Sequence, residues 1–150
     1  MALKPIEDWS VKAPFTKRFS QPLKENMMIM VCGTIPTTAN QFVINLQQGD
    51  EKETTIPFHF GARFDTNPSK VVYSAQKDGN WAPMLDTCCD FGKRGDDFKI
   101  CFFTWSNCYQ ACVNGKHILT YDYTTERIDG VNIYGDVHIS SLRVYDLHCT

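Results

Sequence analysis

The sequence predicts an all-β fold, a sandwich or barrel of antiparallel strands, on three observations. Apolar residues recur with a period of two, turn-forming residues punctuate the apolar runs, and no segment of about twelve residues carries a helical stripe. A chain of 150 residues that is 43% hydrophobic and 21% charged, with ten Phe and six Tyr, is long enough to close one sizeable core and short for two. No internal repeat, low-complexity tract or Gly/Ser-rich linker divides it. It therefore reads as an amino-terminal arm over residues 1–13 followed by one domain over 14–150.

Taken in order, the first strand expected is the apolar run Met28 to Cys32. Gln41 to Leu46 follows, with Phe42, Ile44 and Leu46 on one face and Gln41, Val43 and Asn45 on the other. Thr55 to Asp65 repeats that pattern. Ile56, Phe58, Phe60, Ala62 and Phe64 share one side, and Thr55, Pro57, His59, Gly61, Arg63 and Asp65 share the other. Lys70 to Ala75 is the next strand, ended by the turn Asp78-Gly79 just before Asn80-Trp81. Phe98 to Trp105, Tyr109 to Val113 and Lys116 to Tyr121 come next. Asn114-Gly115 joins the last two as a type I′ hairpin signal, because both central residues must accept positive φ. Gly130 to Tyr134 and Val137 to Leu147 complete the set.

Charge and cysteine content narrow the class of function. Fifteen Lys and Arg against seventeen Asp and Glu leave a formal net charge of -2, without the positive surplus that phosphate backbones require, so nucleic acid is not an expected partner. The longest apolar run, Met27 to Cys32, falls far short of the roughly 20 residues that cross a bilayer, and the segment MALKPIEDWS has no hydrophobic signal core. The expectation is a cytoplasmic protein with no membrane insertion. Seven Cys, an odd and irregularly spaced set, suit free thiols better than a disulfide framework. Cys32, Cys101 and Cys112 lie within strand patterns and read as buried and inert; Cys88 and Cys89 read as exposed thiols able to cross-link copies of the chain. Neither Cys88-Cys89 nor His148-Cys149 has the spacing of zinc ligands, so no metal and no cofactor is expected.

The ordered series Phe42-Val43-Ile44-Asn45-Leu46-Gln47-Gln48-Gly49, Phe58-His59-Phe60-Gly61-Ala62-Arg63-Phe64-Asp65, Val71-Val72-Tyr73-Ser74 and Gly79-Asn80-Trp81 resembles the galectins. Phe98-Lys99-Ile100, Val113-Asn114-Gly115-Lys116-His117 and Ile133-Tyr134-Gly135-Asp136-Val137 carry the resemblance over nearly the whole chain. It implies a jelly-roll-like β-sandwich of two antiparallel sheets, with a shallow groove on one sheet that binds β-galactosides without metal. It further implies that the protein reaches the extracellular space without a signal peptide. His59, Arg63 and Trp81 match the family's sugar-binding histidine, arginine and stacking tryptophan.

The residues support that groove on their own chemistry. Strand residues two apart point the same way, so His59, Gly61 and Arg63 form one row about 13 Å long, the length of a disaccharide. An imidazole and a forked guanidinium can discriminate among hydroxyl orientations, and the C–H face of galactose settles on an indole such as Trp81. Alone, each of the three has a plainer reading: His59 as a surface histidine, Trp81 as rim packing, Arg63 as the partner of a surface carboxylate. The row that His59 shares with Arg63, and the place of Trp81 after Asp78-Gly79-Asn80, favour the binding role.

Departures from the family pattern qualify the specificity. Where the family reads His-Phe-Asn-Pro-Arg-Phe, Gly61 and Ala62 replace the Asn and Pro. Ser74 stands for an Asn, and Asn67 lies near the place of a second histidine. Where the family reads Trp-Gly-x-Glu-x-Arg, Met84 replaces the carboxylate and Asp86 the guanidinium. Arg63 then needs a new partner, Asp65 or Asp86, and the groove contacts to weigh are Asp65, Asn67, Ser74 and Asp86. Each lost polar contact costs about 1–3 kcal/mol, so the expectation is altered or weakened recognition of glycans and glycoproteins.

Two other classes stand beside this one. A glycoside hydrolase needs paired carboxyl groups facing across the scissile bond, yet Asp96 and Asp97 are neighbours that point to opposite faces, so the chain reads as a non-enzyme. The alternative to a lectin is a protein of the same fold that has dropped sugar and serves as an interaction module. Flat edge strands near the two termini invite a homodimer, without choosing its interface.

Overall fold

The computed structural model describes residues 3–49, 55–122 and 127–148. It contains β1 (Glu7–Trp9), β2 (Phe15–Leu23), β3 (Met27–Thr34), β4 (Gln41–Gln47), β5 (Ile56–Arg63), β6 (Lys70–Lys77) and β7 (Asn80–Trp81). Then come β8 (Leu85–Cys88), β9 (Asp97–Thr104), β10 (Tyr109–Val113), β11 (Lys116–Tyr121), β12 (Ile128–Gly135) and β13 (His138–Asp146). Among the described residues there is no helix. Two antiparallel sheets form a sandwich: one runs β1-β13-β3-β9-β10-β11, the other β2-β12-β4-β5-β6-β7, with β8 also paired to β6.

The period of two decides which side chains fill the space between the sheets. Phe42, Ile44 and Leu46 of β4 and Phe58, Phe60 and Ala62 of β5 are buried, and they meet Ile100 and Phe102 of β9 in one continuous core. Phe102 stands edge-on to Phe60 at 5.1 Å and to Phe58 at 5.9 Å, while Phe42 stacks on Phe98 at 5.5 Å. Such aromatic pairs contribute about 0.5–1.5 kcal/mol each beyond the area they bury. The expected turns form as anticipated: Asn114 and Gly115 have φ of 51° and 83°, Asp78 and Gly79 of 51° and 82°.

Four strands are additional to those expected from sequence. β2, β7 and β8 are edge elements with mostly exposed residues, so no apolar alternation marks them; pairing with β12 and β6 makes them strands. β1 lies within the expected arm and pairs with β13, placing Asp8 opposite Arg143 in an exposed ion pair at 3.4 Å. Trp9 stacks on Phe19 at 5.6 Å, tying β1 to β2 where the sheets meet at their edge.

The cysteines are distributed differently from the sequence expectation. Cys32, Cys101 and Cys112 are only half-buried, because they alternate with core residues and so face outward from the six-stranded sheet. Cys88 is exposed as expected, but its neighbour Cys89 turns inward and is buried. Cys149 lies outside the described residues.

Candidate functional site

Register builds the site on the outer face of the seven-stranded sheet. Residues directly opposite in an antiparallel pair share a face, so the alignment of β2, β12, β4, β5 and β6 places Thr16, Asn132, Asn45, His59 and Ser74 in one row. The next row holds Tyr134, Val43, Gly61, Val72 and Asp86, and the one beyond it Gln41, Arg63, Lys70 and Cys88. The alternating partners of these residues are the Phe and Ile side chains of the core.

The first row is a chain of hydrogen bonds with one direction. Asn132 Nδ2 donates to the Phe15 carbonyl at 3.2 Å and to Thr16 Oγ1 at 3.1 Å, leaving Asn132 Oδ1 to accept from Asn45 Nδ2 at 3.2 Å. Asn45 Oδ1 is thereby left as an acceptor, and it lies 2.7 Å from His59 Nδ1. Nδ1 therefore carries the proton and Nε2 presents a lone pair to the groove. Burial of the ring, and secondly the positive charge of Arg63, hold the His59 pKa below its ordinary 6.5, so the imidazole is neutral at physiological pH.

Trp81 is brought to this row by the tight turn at Asp78-Gly79, which sets β7 against β6 with Trp81 opposite Gln76. Its indole is 48% exposed and meets the His59 ring edge-on, centroids 5.1 Å apart and planes at 76°. The imidazole thus braces one side of the indole and leaves part of the ring open. Beyond Trp81, the Ala82 amide donates to the Ala75 carbonyl at 2.8 Å, and the Ser74 hydroxyl donates to the Ala82 carbonyl at 2.9 Å.

Ser74 is accordingly not a groove contact. It is fully buried, and its hydroxyl is committed to the backbone beside Trp81, a positioning role. The expectation that Asp65 or Asp86 would take up Arg63 is also corrected: Asp86 pairs with Lys70 at 3.7 Å, and the Arg63 side chain has no hydrogen bond or ion pair among the described residues. Asp65 and Asn67 lie exposed in the segment between β5 and β6.

Several residues that shape the groove were not singled out from sequence. A Cβ on Gly61 would lie 2.9 Å from Val72 Cγ2, so the Val72 isopropyl group covers the middle of the His59–Arg63 row. Asn45 and Asn132 carry no signal of this role in their own segments; only the pairing of β12 with β4 and of β4 with β5 joins them to His59. Among the described residues no group of three or more His, Cys, Asp or Glu could hold a metal ion. The arrangement offers an acceptor, a half-exposed aromatic face and an unengaged guanidinium on one shallow surface.

A family model described as galactoside-binding lectin matches residues 14–144. The chain is 27% identical over 133 residues to Galectin-8 of Rattus norvegicus, covering 86% of this chain and 42% of that protein. It is 25% identical over 136 residues to Galectin-3 of Cricetulus longicaudatus, covering 88% of this chain and 54% of that protein. The chain thus spans about half the length of these two curated relatives. Among solved structures, the fold is similar to that of Caenorhabditis elegans galectin LEC-6, with TM-score 0.79, 20% identity and coverage of 91% of this chain and 94% of that one.

Proposed function

The chain belongs to the galactoside-binding lectin family, the galectins, and from that membership we propose that it binds glycans through the groove formed by His59, Arg63 and Trp81. The observation that carries this reading is the His59–Trp81 pair: an imidazole with its Nε2 acceptor fixed outward, in edge contact with a half-exposed indole. A galactose laid with its C–H face on Trp81 would donate a hydroxyl to Nε2, and an epimer with that hydroxyl displaced would leave Nε2 unpaired. Gly61, with Val72 packed beside it, presents no polar side chain at the centre of the row, so recognition of neutral galactosides is weakened and shifted. The protein acts as a binding module and not as an enzyme.

The test is a glycan array in reducing buffer, with the Trp81→Ala variant in parallel. Signal on galactose-terminated glycans that disappears in the variant is the expected result. Silence from a folded protein, or signal indifferent to Trp81, would overturn it. The closure of the Gly61 position favours the second reading, an interaction module that no longer uses sugar, should the array stay silent.

A further inference from the structure

We infer that the groove is completed by an anionic group on the glycan, a sulfate ester or a carboxylate, received by Arg63. This inference rests on the groove assignment above and names the class of ligand. Arg63 is half-buried on the sheet face, yet none of its guanidinium N–H donors meets an acceptor among the described residues. Lys70, Asp86, Arg94 and Asp136 are engaged elsewhere, and Asp65 does not pair with it. Lys70, directly opposite Arg63, pairs with Asp86 at 3.7 Å. Arg94 donates to the carbonyls of Ala39 and Phe64 at 2.7 and 2.6 Å. Asp136 accepts from the amides of Asn40 and Gln41 at 2.9 and 3.4 Å, and Asp65 lies exposed in the segment after β5.

A half-desolvated guanidinium without a partner is unfavourable in the free protein, and an incoming anion with two oxygens relieves it best, because its geometry matches the planar fork. The apolar cover of Val72 lies between Arg63 and the His59–Trp81 end, along a strand row of about 13 Å from the His59 Cα to the Arg63 Cα. A ligand that uses both ends therefore carries a neutral ring on Trp81 and its charge on a substituent or on the next sugar. Among the described residues no carboxylate pairs with Arg63, and the glycan supplies the anion.

The experiment titrates the full chain, in reducing buffer at low and high salt, with lactose, 3′-O-sulfated lactose and N-acetyllactosamine sulfated at O6 of its N-acetylglucosamine. Val72→Glu places a carboxylate diagonally across from Arg63, and Val72→Gln is its uncharged counterpart. The expected result is that at least one sulfated glycan binds about tenfold tighter than its neutral parent, an advantage that salt reduces. The advantage disappears in Val72→Glu, persists in Val72→Gln, and all binding is lost in Trp81→Ala. Equal affinity for neutral and sulfated forms overturns the inference and leaves the lectin reading intact. Sulfate binding that survives Trp81→Ala overturns it as mere capture by charge. No binding of any glycan by folded protein overturns the groove assignment itself.

Discussion

His59 and Asn45 face each other across β5 and β4, and the Nδ1–H of the first donates to Oδ1 of the second at 2.7 Å. That bond decides which imidazole nitrogen the groove presents. Asn45→Ala removes the acceptor and frees the ring to rotate or change tautomer. We expect glycan affinity to fall about tenfold, near 1–2 kcal/mol, with an unchanged far-ultraviolet spectrum. Calorimetric titration checks this, and unchanged affinity would show that the tautomer is held by something else.

The depressed pKa of His59 sets a pH dependence with a definite sign. Above 6.5 the ring is neutral in folded and unfolded chains alike; as pH falls through the window from 6.5 down to the folded value, the unfolded chain takes up the proton first. Stability present above 6.5 is therefore lost on acidification through that window. The His59 ring protons, followed by magnetic resonance, should titrate with a midpoint below 6.5. A midpoint above it would mean that Arg63 and burial do not govern the ring.

At Gly61 the prediction is steric. Gly61→Ala brings a methyl group to 2.9 Å from Val72 Cγ2, and a β-branched side chain on a strand has little freedom to turn away. Overpacking of this kind costs about 1–3 kcal/mol, read as a lower thermal midpoint. Val72→Ala in the same chain should restore most of the loss. A double variant no more stable than Gly61→Ala alone would place the strain elsewhere.

Adjacent cysteines should differ sharply in reactivity. Cys88 is exposed, whereas burial, followed by the negative charge of Asp90, pushes the Cys89 thiol up to about 12. Alkylation of native protein near pH 8, read by peptide mass, should modify Cys88 early and Cys89 only after unfolding. Because the folded pKa is raised, the stability linked to Cys89 is complete below 9 and is lost as pH rises from 9 toward 12. Equal labelling of the pair in native protein would contradict the inward turn after β8.

Much of the fold was legible because alternation is a local signal. Phe42, Ile44 and Leu46, then Phe58, Phe60 and Ala62, announce their faces whatever they pair with, and all are buried. β2 was not legible: in Phe15–Leu23 only Phe19 is buried and most residues are exposed, and as an edge strand it owes its conformation to the hydrogen bonds of β12. The same holds for β8, whose four residues are half-buried or exposed.

In the candidate site, His59 and Arg63 share one face of β5 whatever the strand packs against, because side chains alternate and residues four apart on a strand point the same way. A tight turn before Trp81 is equally local, because Asp78-Gly79 accepts the positive φ required there. The packed sandwich adds the contacts: Trp81 touches His59, Asn45 and Asn132 orient the imidazole, Ser74 is withdrawn into the backbone, Lys70 pairs with Asp86, and the Arg63 side chain has no partner among the described residues. Each depends on which strands lie side by side and in what register. Register is set by the burial of a whole sheet face at once, a property of the assembled sandwich that no single segment carries.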